Sequence, residues 1–352
     1  MTIEEISFIN VRKLKFFSQN LSKNTTIITG KNGAGKTSIL EAIFFLLTAK
    51  SFRKKYNKSI IKEKEEYLQI KGTIKKEKKE TIKTTYDGKT KKIQKNETII
   101  KKTSDIIDYS NIVSASPEEI DIVDSYKKEK IKYFDKIGFK IKKTYIEEIK
   151  KYNKLLKRRN KLLENNQPTK EWDAQTAESG IRVWKEREKV FKKIEKQFKK
   201  TEKEILKTNK FSIKYENKKT EEIKEYIEKI NEKKNTPKTE FGPHKDNAKF
   251  NINKKSLQET GSQGEKKLFK YILKLTEAEI LKGEKETSPI LLLDDFFAKL
   301  DEENIMKIFN FFHRKFQTII TTTTIKDTAI EKKIKTSKDT SLKIIALNDK
   351  AI

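Results

Sequence analysis

The chain has 352 residues, 34% hydrophobic and 38% charged, and no apolar run near the roughly 20 residues that cross a bilayer. With no cysteine there is neither a disulfide nor a thiolate metal site, and two histidines leave little for a zinc centre. The formal charge of +30 points to a polyanionic partner, although only seven of the 82 basic residues are arginine, and AT-rich coding would also enrich lysine, isoleucine and asparagine. The opening MTIEEISFIN carries two acids and no basic stretch before an apolar one, so it does not read as a signal peptide and a cytoplasmic location is expected.

In chain order, Ile3, Ile6, Phe8 and Val11 suggest a first strand, and the β-branched run Thr25 to Thr29 a second, ending at Gly30. Ile39, Leu40, Ile43, Phe44, Leu46 and Leu47 recur at helical spacing, which predicts a helix over 36–48. Residues 67–100 read as β-hairpins with Asp87-Gly88 as a turn. From about Ser125 to Asn235 strand signal is scarce and charged amphipathic helices dominate, two of them separated by Asn165-Asn166-Gln167-Pro168. Their apolar stripes are too short for a long coiled-coil arm, and helix packing explains them. Strand character returns at 248–252, with Asn251-Ile252-Asn253 close to a hairpin, and a helix follows over 265–281. Ile290 to Leu293 suits a strand buried on both faces; a helix over 302–312 and the run Thr318 to Thr321 complete a strand, helix, strand succession, the grammar of an α/β sheet. There is no internal repeat.

Gly30-Lys31-Asn32-Gly33-Ala34-Gly35-Lys36-Thr37 fits G-x-x-x-x-G-K-[ST] without mismatch, between a strand and a helix. The glycines permit torsions that turn successive N–H groups towards an anion. In this pattern Lys36 neutralises the β- and γ-phosphates of ATP, and the Thr37 hydroxyl ligates Mg²⁺. A chance glycine-rich turn is the bland alternative. Asp294 and Asp295 follow the apolar run, where Asp294 would hold Mg²⁺ and Asp295 would act as general base on water. Taken alone, this pair would equally read as an acidic helix cap. Ser262, Gly264 and Glu265 open a long helix whose N–H groups could meet the γ-phosphate of a partner subunit; an ordinary capping box by Ser262 and Glu265 is the alternative.

In this order the motifs resemble the ABC-type ATPase heads of the SMC family, and within it the RecF family. The resemblance rests on Val11-Arg12-Lys13-Leu14, the stretch from Ile28 through Arg53, and Ser116-Pro117-Glu118-Glu119. It continues through Gly242-Pro243-His244-Lys245-Asp246, Ser262 to Glu265, Ile290 to Asp301 and Thr321-Thr322-Thr323. It spans nearly the whole chain. Glu265 stands where the family has Gln, Lys245 where it has Arg, and Gly261 where it has an apolar residue.

The resemblance implies an α/β P-loop NTPase of ABC type, a mixed sheet with flanking helices, plus an inserted mainly helical lobe. The ATPase lobe is expected at 1–115 with 287–352, and the lobe carrying the signature at 116–286. Asp301 falls in the D-loop. Also implied are a slow, DNA-stimulated ATPase, an ATP-dependent homodimer, binding to single-stranded gaps and junctions with duplex DNA, and loading of a recombinase with RecO and RecR. A nuclease-linked or SMC-like head acting on DNA is the alternative. No further acidic cluster suggests a nuclease, and the signature departs from the L-S-G-G-Q of transporter ATPases. Neither a helix-turn-helix nor a zinc-finger spacing is present, so binding should be independent of base sequence; no lysine is singled out as a DNA contact.

Overall fold

The computed structural model describes residues 1–52, 57–100, 109, 111–116, 121–232, 236–298, 300–323 and 342–347. Arg53, Pro117 to Glu119 and Lys299, which belong to the motifs above, lie outside them. The chain divides into two compact units, 1–120 with 204–206 and 271–352, and 121–203 with 207–270.

In the first unit, β1 (Thr2–Val11), β2 (Leu14–Asn20), β4 (Leu68–Lys75), β5 (Lys79–Tyr86), β6 (Lys91–Lys95) and β7 (Thr98–Ile99) form an antiparallel sheet in the order β2-β1-β4-β5-β6-β7. Alternation along each strand buries Ile6, Phe8, Ile70, Ile74 and Ile82 in the same cluster as Phe45 and Leu46 of α1 (Lys36–Thr48). Gly72 marks the closest approach: a Cβ there would lie 2.5 Å from Leu46 Cδ2. The expected turn is present, with Asp87 Oδ1 accepting from the backbone N–H groups of Lys89 and Thr90 at 2.8 and 2.6 Å.

The second sheet of this unit is wholly parallel. Its order is β14 (Leu342–Ala346), β3 (Thr25–Thr29), β13 (Thr318–Thr322), β12 (Ile290–Leu293) and β8 (Ile112–Ala115). Every residue of β12 and β13 is buried, as strands covered on both faces must be. Parallel and antiparallel pairings are thus segregated into separate sheets. Gln317 welds the N-terminal strand to the parallel sheet: its amide nitrogen donates to the Ile3 and Ser22 carbonyls (2.7 and 2.9 Å), and its oxygen accepts from Ile3 N–H (2.7 Å). The helix α8 (Glu302–Phe312) buries Ile305, Ile308, Phe309 and Phe312.

The second unit holds α2 (Lys127–Ile141), α3 (Lys143–Glu164), most of α4 (Lys170–Leu206), α5 (Ile223–Asn231), α6 (Leu257–Thr260) and the first turns of α7 (Gln263–Glu284). Between α4 and α7 lies a three-stranded sheet of β9 (Phe211–Glu216), β10 (Asn247–Ile252) and β11 (Lys255–Ser256). The β10–β11 turn places Asn253 and Lys254 at φ of 47° and 67°, the two left-handed residues of a tight hairpin. The motif at 242–246 is the hub of this unit. Asp246 is buried and receives Trp184 Nε1 (2.9 Å), Arg187 Nη1 (2.5 Å) and the Tyr215 hydroxyl (2.5 Å). His244 Nδ1 pairs with the Tyr152 hydroxyl at 2.7 Å. A Cβ on Gly242 would lie 2.4 Å from two tyrosine oxygens, so only glycine fits.

Three expectations need correction. Residues 125–235 contain a strand, β9, whose Phe211 and Ile213 alternate with Ser212 and Lys214 too briefly to stand out in so lysine-rich a segment. The later unit boundary falls at 270/271 instead of 286/287, since Tyr271 packs edge-on to Phe296, 5.1 Å between centroids, so the later turns of α7 belong with the first unit. The earlier boundary falls at 120/121 instead of 115/116.

Gln317→Leu keeps the volume but orphans Ile3 N–H and two carbonyls in the interior. Urea unfolding should show a loss of about 2–4 kcal/mol; an unchanged midpoint would show that the buried amide does not join these elements.

Candidate functional site

The glycine loop runs from the end of β3 into α1 with Gly30, Gly33 and Gly35 at φ of 157°, 85° and 88°. Gly35 is also the N-terminal cap of α1, and a Cβ there would lie 2.8 Å from the Leu14 side chain. A side chain at that position is excluded by both torsion and space. Because the loop leads into the first turn of α1, its N–H groups and the positive end of the helix converge on one place. Lys36 Nζ donates to the carbonyls of Gly30 (2.7 Å) and Lys31 (2.8 Å), which holds the side chain back across the loop. Burial lowers the Lys36 pKa, and the carboxylates of Asp295 and Asp294 partly oppose that shift.

Strand order brings the acidic pair to this loop. β3 and β12 flank β13, all three run parallel, and their C-terminal ends lie together. Asp294 Oδ1 accepts from the Thr37 hydroxyl at 3.0 Å and from the Thr321 hydroxyl at 2.5 Å. Asp294 N–H donates to the Ala115 carbonyl at 2.8 Å, which fixes its backbone to β8. Asp295 has φ of 50°, rare for a residue with a side chain, and its N–H donates to Thr321 Oγ1 at 3.0 Å. The pair does not cap a helix: residues 294–298 form a turn, and α8 begins later. Burial, then the two carboxylates, push the Tyr271 phenol pKa upward.

Gly33, Gly35, Lys36, Thr37, Asp294, Asp295 and Thr321 line one cleft of about 760 Å³, joined by Arg12, Lys13, Asn32 and Ser59. Arg12 lies beside the loop in a fork with Glu41 of α1, Nε and Nη2 each 2.8 Å from a carboxylate oxygen; Glu41 is fully buried. Arg12 Nη1 also donates to the Ser59 carbonyl at 2.5 Å. In the sequence Arg12 stands only within a resembling motif, and Thr321 within such a motif and at the end of a strand run. What would have marked Thr321 is a hydroxyl at the carboxyl end of an otherwise apolar buried strand.

Asp301 caps α8, accepting from Asn304 N–H (2.8 Å) and Asn304 Nδ2 (2.6 Å), and the bond from Asn304 N–H is the main reason its pKa is lowered. Ser262 and Glu265 form the capping box: Ser262 N–H and Oγ donate to Glu265 Oε2 at 3.0 Å each, and Glu265 N–H donates to Ser262 Oγ at 3.2 Å. Glu265 is held ionised mainly by the Ser262 N–H bond, with Lys210 Nζ at 3.9 Å adding to it. Lys245 reaches Glu240 at 2.8 Å on the surface. At Gly261 a Cβ would lie 2.6 Å from the Leu257 carbonyl, which accounts for glycine where an apolar residue was expected.

Among the described residues no group of three or more acidic, histidine or cysteine side chains is placed to hold a metal. A hydroxyl and one carboxylate fit a different kind of site, one in which Mg²⁺ takes few protein oxygens and completes its shell with water and phosphate. No helix among the described residues is long and apolar enough to cross a membrane.

Residues 2–343 match the family model described as RecF/RecN/SMC N terminal domain. The DNA replication and repair protein RecF of Bacillus cytotoxicus is 30% identical over 345 residues, covering 92% of each chain, and that of Bacillus cereus strain G9842 is 29% identical over 347. The solved structure of the recombination mediator protein RecF-ATP in the RecFOR pathway superposes with a TM-score of 0.77 at 29% identity, covering 93% of both chains. An Smc head domain from Pyrococcus furiosus, at 18% identity and a TM-score of 0.52, shares the fold. The site, the fold and these likenesses agree: the chain belongs to the RecF family of ABC-type ATPase heads.

Proposed function

We propose that this chain is an ATP-gated DNA clamp of replication and recombinational repair, and that ATP occupies the cleft above the 30–37 loop. The observation that carries the reading is the 3.0 Å bond between Thr37 and Asp294, which joins the two halves of a phosphate site from positions 257 residues apart. Likeness to a RecF-ATP structure along 93% of the chain supports it.

The loop N–H groups and Lys36 bind and orient the triphosphate, Lys36 exchanging the Gly30 and Lys31 carbonyls for phosphate oxygens. Thr37 and Asp294 are the residues that would hold Mg²⁺, which when bound neutralises charge on the phosphates. Asp295 accepts the proton of the attacking water; its left-handed backbone is tied to Thr321 through the N–H, and the residue lines the same cleft as Asp294. Turnover should be slow and stimulated by DNA.

The second half of the site comes from a second copy. Ser262 and Gly264 offer N–H groups at the start of α7, and the γ-phosphate of the partner's nucleotide would compete with the Glu265 carboxylate for the Ser262 N–H and hydroxyl. Nucleotide would then favour the dimer by its differential affinity for that state. DNA is proposed as the polyanion because of the net charge of +30 and the names of the relatives. By the same likeness the sites are single-stranded gaps and junctions with duplex, the partners are RecO and RecR, and the location is the cytoplasm.

Light scattering on a gapped duplex tests the nucleotide, the dimer and DNA together. ATP should double the protein mass on DNA, and Ser262→Arg should leave ATP binding intact while holding the chain monomeric. Dimers formed by that variant would remove the signature helix from the interface. Asp295→Asn should retain ATP affinity and lower turnover by at least ~100-fold; hydrolysis at the parent rate would dismiss Asp295 as the base.

A further inference from the structure

The antiparallel sheet of the first unit turns one face to α1 and the other outward, and the centre of the outward face is polar and basic. Register aligns two cross-strand rows on it. One is Ser18, Ser7, Lys71, Lys83 and Gln94; the next is Phe16, Ile9, Gln69, Thr85 and Lys92. Neighbouring residues in a row stand about 4.8 Å apart, and the two rows about 7 Å. Lys71 and Lys83 are therefore directly opposed like charges, an arrangement that destabilises a sheet. Among the described residues no ion pair or hydrogen bond engages the side chains of Lys71, Lys83 or Lys92. Lys75 continues the face along β4. Carboxylates lie at the two ends, where Glu4 meets Lys79 at 2.8 Å and Glu5 lies opposite Thr73, and where Asp87 follows β5.

We propose that this face, centred on the Lys71–Lys83 pair, seats the sugar-phosphate backbone of duplex DNA. The inference rests on the DNA-clamp reading and adds the surface that the sequence left unassigned. A phosphate between the two ammonium groups would relieve their repulsion, so the cost built into the register is recovered on binding. The flanking side chains are serine, threonine and glutamine, the neutral donors that contact phosphate oxygens and sugars without reading bases. A protein partner fits this face poorly. Its apolar content lies at the two edges, the Ile9–Phe16 pair on one and Ile99, opposite Gln94, on the other, Phe16 and Ile99 being 61% and 52% exposed, whereas the centre of a protein interface is apolar and poor in lysine.

Lys71→Thr/Lys83→Thr removes both charges and installs a good strand former, so the fold is retained. With ATP present, binding of a fluorescent duplex is followed by anisotropy across a salt series. Two lost phosphate contacts should reduce the slope of log affinity against log salt by about 1.8, from ~0.9 for each. The melting temperature should equal or exceed that of the parent, because the like-charge pair is gone. Lys151→Ala/Lys154→Ala on the exposed side of α3 changes net charge equally and should keep the parent slope. A parent slope in the sheet variant, or an equal fall in the α3 variant, overturns the assignment of the face. Failure of the parent chain to bind DNA at all would instead overturn the reading on which it rests.

Discussion

One carboxylate oxygen organises the candidate site. Asp294 Oδ1 accepts hydroxyls from Thr37 and Thr321, and so links the first turn of α1 to the carboxyl ends of β12 and β13. A buried carboxylate needs such donors, since charge without partners in an interior is costly. The same threonine at 321 receives the Asp295 N–H, and this bond helps hold a backbone torsion that a non-glycine residue rarely adopts. The placement of both acids beside the glycine loop therefore follows from the order of three parallel strands. Take away the placement of β13 between β3 and β12, and the glycine loop and the acids would have no common edge.

The contiguous parts of this arrangement were legible in the sequence. The glycine loop carries its torsional requirement in its own letters, as Gly33 and Gly35 bear out with φ of 85° and 88°. The run Ile290 to Leu293 announced a buried strand, and Asp294 after it followed from where ligands bind in such sheets. What was not legible depends on pairings between distant segments. Thr321 sits in a run of threonines with no distinguishing period, and its importance appears only when β13 is known to lie between the other two strands. Arg12 needed Glu41, a residue buried in α1 that periodicity alone would place among the core positions. β8 and β14 lack the uninterrupted apolar run that marks Ile290 to Leu293, since Ser114 and Lys343 interrupt them.

At the start of α7 the structure shows a capping box, and the proposed contact to a partner's nucleotide would use the same residues. Ser262 and Glu265 form the local capping box, yet the groups that close it are the donors an incoming phosphate would use. A glutamate in that place makes the monomer its own competitor, since it brings a negative charge that the family's glutamine lacks. In the proposed dimer, local helix stability and the contact to the partner's nucleotide would oppose one another, with nucleotide setting the balance. Charge elsewhere follows a different logic: many of the lysines pair with nearby acids, as Lys199 does with Glu195, while among the described residues Lys71, Lys83 and Lys92 on the outward sheet face do not.

The most direct measurement is titration calorimetry of ATP with and without Mg²⁺ on the parent and on Asp294→Asn. Asparagine keeps an oxygen for the two threonine hydroxyls and removes the charge. The account predicts that affinity without Mg²⁺ is preserved and that the gain on adding Mg²⁺ falls by at least ~10-fold, about 1.4 kcal/mol. A variant that retains the whole gain would contradict it, because Asp294 could not then be the acid that completes the phosphate site.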